Sequence, residues 1–140
     1  MTIELPEEDK IKVVTADDLY GIMQKILLRE EKIDQDREHC WVVSLARNKR
    51  ILNIELISMG SKSQTIVEPM EVYSLAVSKR SDSIILVHNH PSGDLVPSEE
   101  DKDLTDRLIQ AGILLDTPLE DHLIISPLSY LSFAANGLLD

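Results

Sequence analysis

His88-Asn89-His90-Pro91-Ser92-Gly93-Asp94-Leu95-Val96-Pro97-Ser98-Glu99-Glu100-Asp101 sets three potential zinc ligands, His88, His90 and Asp101, within fourteen positions. The residues just before it, Ser83-Ile-Ile-Leu-Val87, read as a buried strand. Side chains two apart on a strand share a face, so both histidines can reach one ion. Pro91, Ser92, Gly93 and Asp94 are turn residues, and a helix is predicted to begin at Ser98, with Asp101 in its first turn. Two imidazoles and one carboxylate leave a fourth tetrahedral position for water, the layout of a catalytic zinc site and not of a closed structural one.

Outward from this stretch, strands and helices alternate. Thr15 caps a predicted helix whose Leu19, Ile22, Met23, Ile26 and Leu27 follow helical spacing. An acidic stretch, Glu30 to Glu38, leads into an apolar strand from His39 to Ala46. Asn48 and Lys49 fit a turn before a second strand, Ile51 to Ile57, and a short third strand is placed around Gln64 to Val67. Pro69 starts a helix that turns Val72, Leu75 and Ala76 inward. The helix after the histidines presents Leu104, Leu108 and Ile109 on one face. Leu119 to Ile125 forms a last strand, and a last helix runs from Leu128 to Ala135, ending at Asn136-Gly137. The fold class expected is α/β (α+β), a mixed sheet flanked by helices. Residues 1–14 are expected to be a polar leader and residues 15–140 a single domain.

With 43% hydrophobic and 28% charged residues, the 140-residue chain has an ordinary globular composition. Its single cysteine, Cys40, excludes an internal disulfide and fits a reducing cytoplasm. No apolar run approaches the roughly 20 residues that span a bilayer. The N-terminus lacks the basic and apolar regions of a signal peptide. A formal charge of −11, from 14 basic and 25 acidic residues, argues against direct nucleic-acid binding, because such affinity rests on neutralising phosphates.

The string His88-x-His90-x7-Ser98-x2-Asp101 matches the core of the JAMM (JAB/MPN) metalloprotease motif. Its surroundings, with Arg37-Glu-His-Cys-Trp-Val-Val-Ser-Leu45, Pro69-Met-Glu-Val72 and Asp121-His-Leu-Ile-Ile125, closely resemble the bacterial RadC branch from about Asp17 to Leu138. Gly60-Ser61 and Met70 depart from that pattern, which has Gly-Thr and an arginine there. The resemblance implies a cytidine-deaminase-like architecture and the JAB domain alone, without the helix-hairpin-helix region usual in RadC proteins. It also implies Zn2+ held by His88, His90 and Asp101, preferred over iron or manganese, and water activated near neutrality. Ser98 would stabilise an oxyanion, and an upstream glutamate would carry the proton. Glu38, fifty residues before His88, is the first choice for that base, and Glu71 is the alternative.

Blander roles are weighed beside these. Ser98 and Asp101 also spell a helix-capping box, and a shared role is expected. Asp94 is expected to bond loop backbone. His122 is read as a core histidine or one supporting the metal ligands, His39 as structural or surface, and Cys40 as a buried inert thiol. The letters His-Asn-His match a nuclease name by accident. The function expected is a zinc-dependent hydrolase acting on a peptide, isopeptide or other amide bond of an unidentified protein or peptide. The alternatives are a module associated with DNA repair through a partner, and a metal-stabilised interaction domain without turnover. An oligomer is compatible with the sequence.

Overall fold

Two strands, β1 (His39–Leu45) and β3 (Ser83–Asn89), have every residue buried in the computed structural model, which describes residues 1–60 and 67–139. Their unbroken apolar runs are what strands covered on both faces require. They pair antiparallel with each other, and Cys40 stands opposite His88. β2 (Ile51–Met59) returns antiparallel beside β1 after a turn in which Lys49 takes a left-handed φ of 71°. β4 (Leu119–Ile125) runs parallel to β3, and β5 (Tyr130–Ser132) folds back antiparallel on β4. The order β2-β1-β3-β4-β5 makes a mixed five-stranded sheet.

A parallel neighbour needs a long crossover, and α4 (Glu99–Leu115) supplies it between β3 and β4. α1 (Ala16–Leu28) covers one sheet face, where Leu19, Ile22, Met23, Ile26 and Leu27 meet Trp41, Val43, Ile85, Val87 and Leu123. Burying each such side chain contributes roughly 1.5–3 kcal/mol. The helix starts at a capping box in which Asp18 Oδ2 accepts from the Val14 and Thr15 amides, each at 2.9 Å. Between α1 and β1 lies α2 (Lys32–Gln35), a single turn with no buried residue. α3 (Pro69–Ser78) and α4 cover the other face, where Val72, Tyr73, Ala76 and Leu108 pack on Cys40, Val42, Ile84 and Leu86.

The leader lies along β2: Ile3 donates to the Ile54 carbonyl at 2.8 Å, and Ile51 donates to that of Ile11 at 2.9 Å. Ile3, Leu5, Ile11 and Val13 pack on the α1-side core. The third strand expected around Gln64 to Val67 lies outside the described residues except for Val67, which is irregular. Among the described residues no helix is long and apolar enough to cross a membrane.

The helix expected from Leu128 to Ala135 is corrected. Ser126 instead closes a turn, its amide donating to the Ser129 carbonyl at 2.8 Å and its Oγ accepting from the Ser129 amide at 3.1 Å. Tyr130, Leu131 and Ser132 then pair with Ile125, Ile124 and Leu123, and only Ala134–Asn136 forms a 3-10 turn. Pairing with the free edge of β4 satisfies backbone groups that an isolated short helix would leave to water. It also seats Phe133, wholly buried, against His122, at 4.2 Å between ring centroids.

One irregularity matters for the site. Between Ile84 and Ile85 the pairing with β4 jumps from Leu119 to Asp121, so Glu120 is an extra residue on β4. Such a bulge exchanges the faces of everything beyond it. Leu119 packs on the α4 side while Leu123 and Ile125 pack on the α1 side, so His122 faces α4, the side that carries His88.

Candidate metal centre

β3 ends in the loop 90–98, and α4 begins immediately after it. The alternation of β3 sends Ile84, Leu86 and His88 to the α3/α4 face, and His90 continues past the strand end. Gly93, at φ 83°, closes the turn through a 2.9 Å bond from its amide to the His90 carbonyl. Ser98 caps α4: its Oγ accepts from the Asp101 amide at 3.0 Å, while Asp101 Oδ2 accepts from the Ser98 amide at 2.8 Å. The capping box thus holds the Asp101 side chain over the strand end, and Asp94 bonds loop backbone through Oδ1 to the Val96 amide at 3.0 Å.

The three expected ligands meet. His88 Nε2 lies 2.9 Å from His90 Nε2 and 3.2 Å from Asp101 Oδ1, and His90 Nε2 lies 3.3 Å from Asp101 Oδ2. A tetrahedral ion with N and O ligands at roughly 2.0–2.1 Å would space those atoms about 3.3 Å apart. Both Nδ1 atoms have other partners, Asp94 O for His90 at 2.6 Å and His122 Nε2 for His88 at 2.7 Å. Two imidazole nitrogens and a carboxylate converging on one point with their far sides engaged are a donor set that fits a divalent cation such as zinc. Among the described residues His88, His90 and Asp101 are the one such group.

The electrostatics match. Burial works to raise the Asp101 pKa, but hydrogen bonds with His88 and His90, the charge of His88 and the Ser98 amide overcome it, holding the carboxyl far below its usual range. Burial works against a charged His90, yet the Asp101 hydrogen bond, the Asp94 carbonyl and the charges of Asp101 and Glu38 raise its pKa. His122, wholly buried, is driven well below its ordinary range by desolvation and by the neighbouring His88 charge.

Glu38 is half-buried and just precedes β1. β1 and β3 pair as far as Cys40 and His88, two residues short of Glu38 and His90 on their own strands. Asn89 brackets Glu38: Oδ1 accepts from the His39 amide at 2.5 Å, and Nδ2 donates to the Arg37 carbonyl at 2.9 Å. The charge of Glu38 acts on both His90 and Cys40. Glu71, exposed in the first turn of α3, acts on Cys40. Burial, then the charges of Asp101, Glu38 and Glu71, push the Cys40 thiol far up, so it stays protonated. His39 is buried against Trp41, with ring centroids at 5.1 Å and its Nε2 on Glu30.

Sequence reasoning missed Thr105 and the bracket made by Asn89. Thr105 is wholly buried, with Oγ1 2.9 Å from the Asp101 carbonyl and 2.6 Å from His122 Nδ1. A hydroxyl one helical turn after the candidate ligand Asp101, and so on the same face of α4, was the available signal.

The RadC-like JAB domain family model matches residues 14–138. A UPF0758 protein of Syntrophomonas wolfei is 45% identical over 81% of this chain and 48% of its own length. One of Desulforamulus reducens is 37% identical over 96% of this chain and 57% of its own length. A third, from Caldanaerobacter subterraneus, is 45% identical over 81% and 49% respectively. The chain spans about half the length of the curated relatives it matches. With the mixed sheet and the converging His-His-Asp set in place, the chain belongs to the RadC-like JAB domain family.

Proposed function

We propose that this domain is a zinc-dependent hydrolase that cleaves a peptide, isopeptide or other amide bond. The observation that carries this reading is the meeting of His88 Nε2, His90 Nε2 and Asp101 at one point, with Glu38 near enough for its charge to act on His90. His88, His90 and Asp101 would hold the ion. When bound, zinc supplies Lewis acidity that brings the pKa of a water near 7.

The remaining chemistry falls to the chain. Glu38 accepts the proton of the attacking water and delivers it to the leaving nitrogen. Asn89 holds the backbone on both sides of Glu38, so that carboxylate is presented from a fixed strand end. Ser98 Oγ spends a lone pair on the Asp101 amide but keeps its own hydrogen at an exposed position. That hydrogen can be donated to the oxygen that becomes negative as the carbonyl is attacked. Glu71, exposed and in the helix that neighbours the site, is the second candidate for the base.

The test pairs zinc binding with cleavage of a mixed peptide and isopeptide library followed by mass spectrometry. Wild type should bind one zinc and cleave. Glu38→Gln should keep the zinc and lose cleavage by about 100-fold or more, the scale of a general base. Full activity in Glu38→Gln with loss in Glu71→Gln would move the base to Glu71. A wild type that binds no zinc would end the hydrolase reading.

A further inference from the structure

A hydrogen-bonded chain behind His88 has a direction that can be worked out from its atoms. It begins at the Asp101 carbonyl, which only accepts, 2.9 Å from Thr105 Oγ1. A threonine hydroxyl has one hydrogen, so when that hydrogen goes to the carbonyl, Oγ1 can only accept from His122 Nδ1, 2.6 Å away. His122 is enclosed by the sheet, by α4 and by Phe133, which stacks on it. A ring so enclosed carries one proton, on Nδ1, which leaves Nε2 as a lone pair. His88 Nδ1 lies 2.7 Å from that lone pair and must therefore hold its own hydrogen there. With a metal in place of the proton shared with Asp101, the other nitrogen of His88, Nε2, is then a lone pair aimed at the point where His90 and Asp101 meet.

The reverse run of protons has a different end. If Thr105 donated to His122 Nδ1, then His122 would donate to His88 Nδ1. The His88 proton would sit on Nε2, 3.2 Å from Asp101 Oδ1, and would block the ligand position. His90 reaches the required tautomer by a simpler device, because its Nδ1 faces the Asp94 carbonyl at 2.6 Å, which can only accept. The two rings are thus prepared separately.

We propose that Thr105 and His122 are positioning residues that fix the tautomer and orientation of His88, so that its Nε2 is presented as a metal ligand. The inference rests on the metal-binding part of the reading above. His122 is not itself a ligand, since its Nε2 is committed to the far side of the His88 ring. The chain also closes on itself. Asp101 faces His88 through its carboxylate and accepts from Thr105 through its carbonyl, so two ligands from different elements are locked to each other. The glutamate base and the catalytic serine take no part.

The experiment measures Zn2+ affinity by competition with a chromophoric chelator in wild type, Thr105→Val and Thr105→Ser, and reads histidine tautomers by 15N NMR of the zinc-loaded proteins. Thr105→Val keeps the volume and removes the only acceptor for His122 Nδ1. Its zinc affinity should fall roughly 10–100-fold, the usual cost of losing a partner behind a metal ligand, with the His122 proton moved to Nε2. Thr105→Ser should restore both affinity and tautomer. In wild type, His122 should be protonated on Nδ1 alone, a measurement that needs no variant to fold. Wild-type affinity in Thr105→Val, or a wild-type His122 protonated on Nε2, would overturn the inference while leaving metal binding intact. Failure of the wild type to bind zinc would overturn the metal reading, and this inference with it.

Discussion

His90 is under two opposed influences, and the stability their balance contributes depends on pH. Burial disfavours its charge, while Asp101, the Asp94 carbonyl and Glu38 favour it, and its folded pKa ends above the ordinary 6.5. The stability this contributes is fully present below about 6.5 and is lost as pH rises through the folded value. Asp101 works the other way: its depressed pKa contributes stability above the ordinary 3.8, lost as pH falls toward the folded value. The metal-free protein therefore draws on this pair between those two ordinary values. Zinc needs the same His90 lone pair that the proton occupies. We expect the rise in Tm on adding zinc to be small near about pH 5.5 and to grow toward about pH 8, as the competing proton leaves. Thermal melts with and without zinc across that range check this. A zinc shift that does not vary with pH would mean that the ion binds elsewhere. Residues like His90 are readable from spacing because strand alternation and a capping box are local rules. The sequence also offers His122 a place behind the metal ligands, but not its partnership with Thr105, which depends on a bulge at Glu120 that only the register of two paired strands reveals.

At the level of elements, β1, β2, β3, β4, α1, α3 and α4 follow from periodicity, caps and turn residues. Their signals lie within each segment. β5 does not follow, since Leu128 to Ala135 fits either a helical turn or a short strand, and the free edge of β4 decides between them. Nor does the seam between α3 and α4. There Tyr73 Oη, buried, donates its one hydrogen between the Leu108 and Thr117 carbonyls, at 3.1 and 3.0 Å, and Gly112 is what lets it approach. A Cβ at residue 112 would lie 2.5 Å from Tyr73 Oη and 2.8 Å from the Thr117 carbonyl oxygen, the second of which is backbone and cannot swing aside. The gain in helix propensity from Gly to Ala, about 1 kcal/mol, is outweighed when backbone must move. Gly112→Ala should destabilise by roughly 1–3 kcal/mol, measured by urea unfolding. It should leave zinc affinity within a few-fold of wild type, because the seam lies at the opposite end of α4 from Asp101. An unchanged or higher unfolding midpoint would show that the seam relaxes at no cost.

For the whole molecule, the question is whether the metal holds the fold or the fold holds the metal. Small metal-stabilised domains unfold on chelation because they have too little core of their own. Here the sheet is covered on both faces, with Leu19, Met23, Trp41 and Leu123 buried on one side and Val72, Leu86 and Leu108 on the other. Neither cluster includes His88, His90 or Asp101. β3 is held by β1 and β4 through backbone bonds, and the first turn of α4 is capped by Ser98 and Asp101 without any ion. Without an ion the site is an Asp101 carboxylate between two imidazoles, which a proton on His90 can satisfy. Chelation should therefore lower stability, and Tm with it, only by the binding linkage, about 2.7–4.1 kcal/mol when free zinc stands 100–1,000-fold above its Kd. The melt should stay cooperative and the far-UV circular dichroism unchanged. Loss of the cooperative melt on chelation would mean that the ion is a structural element, and it would favour an interaction domain over an enzyme whose ligands sit on a scaffold that stands without them.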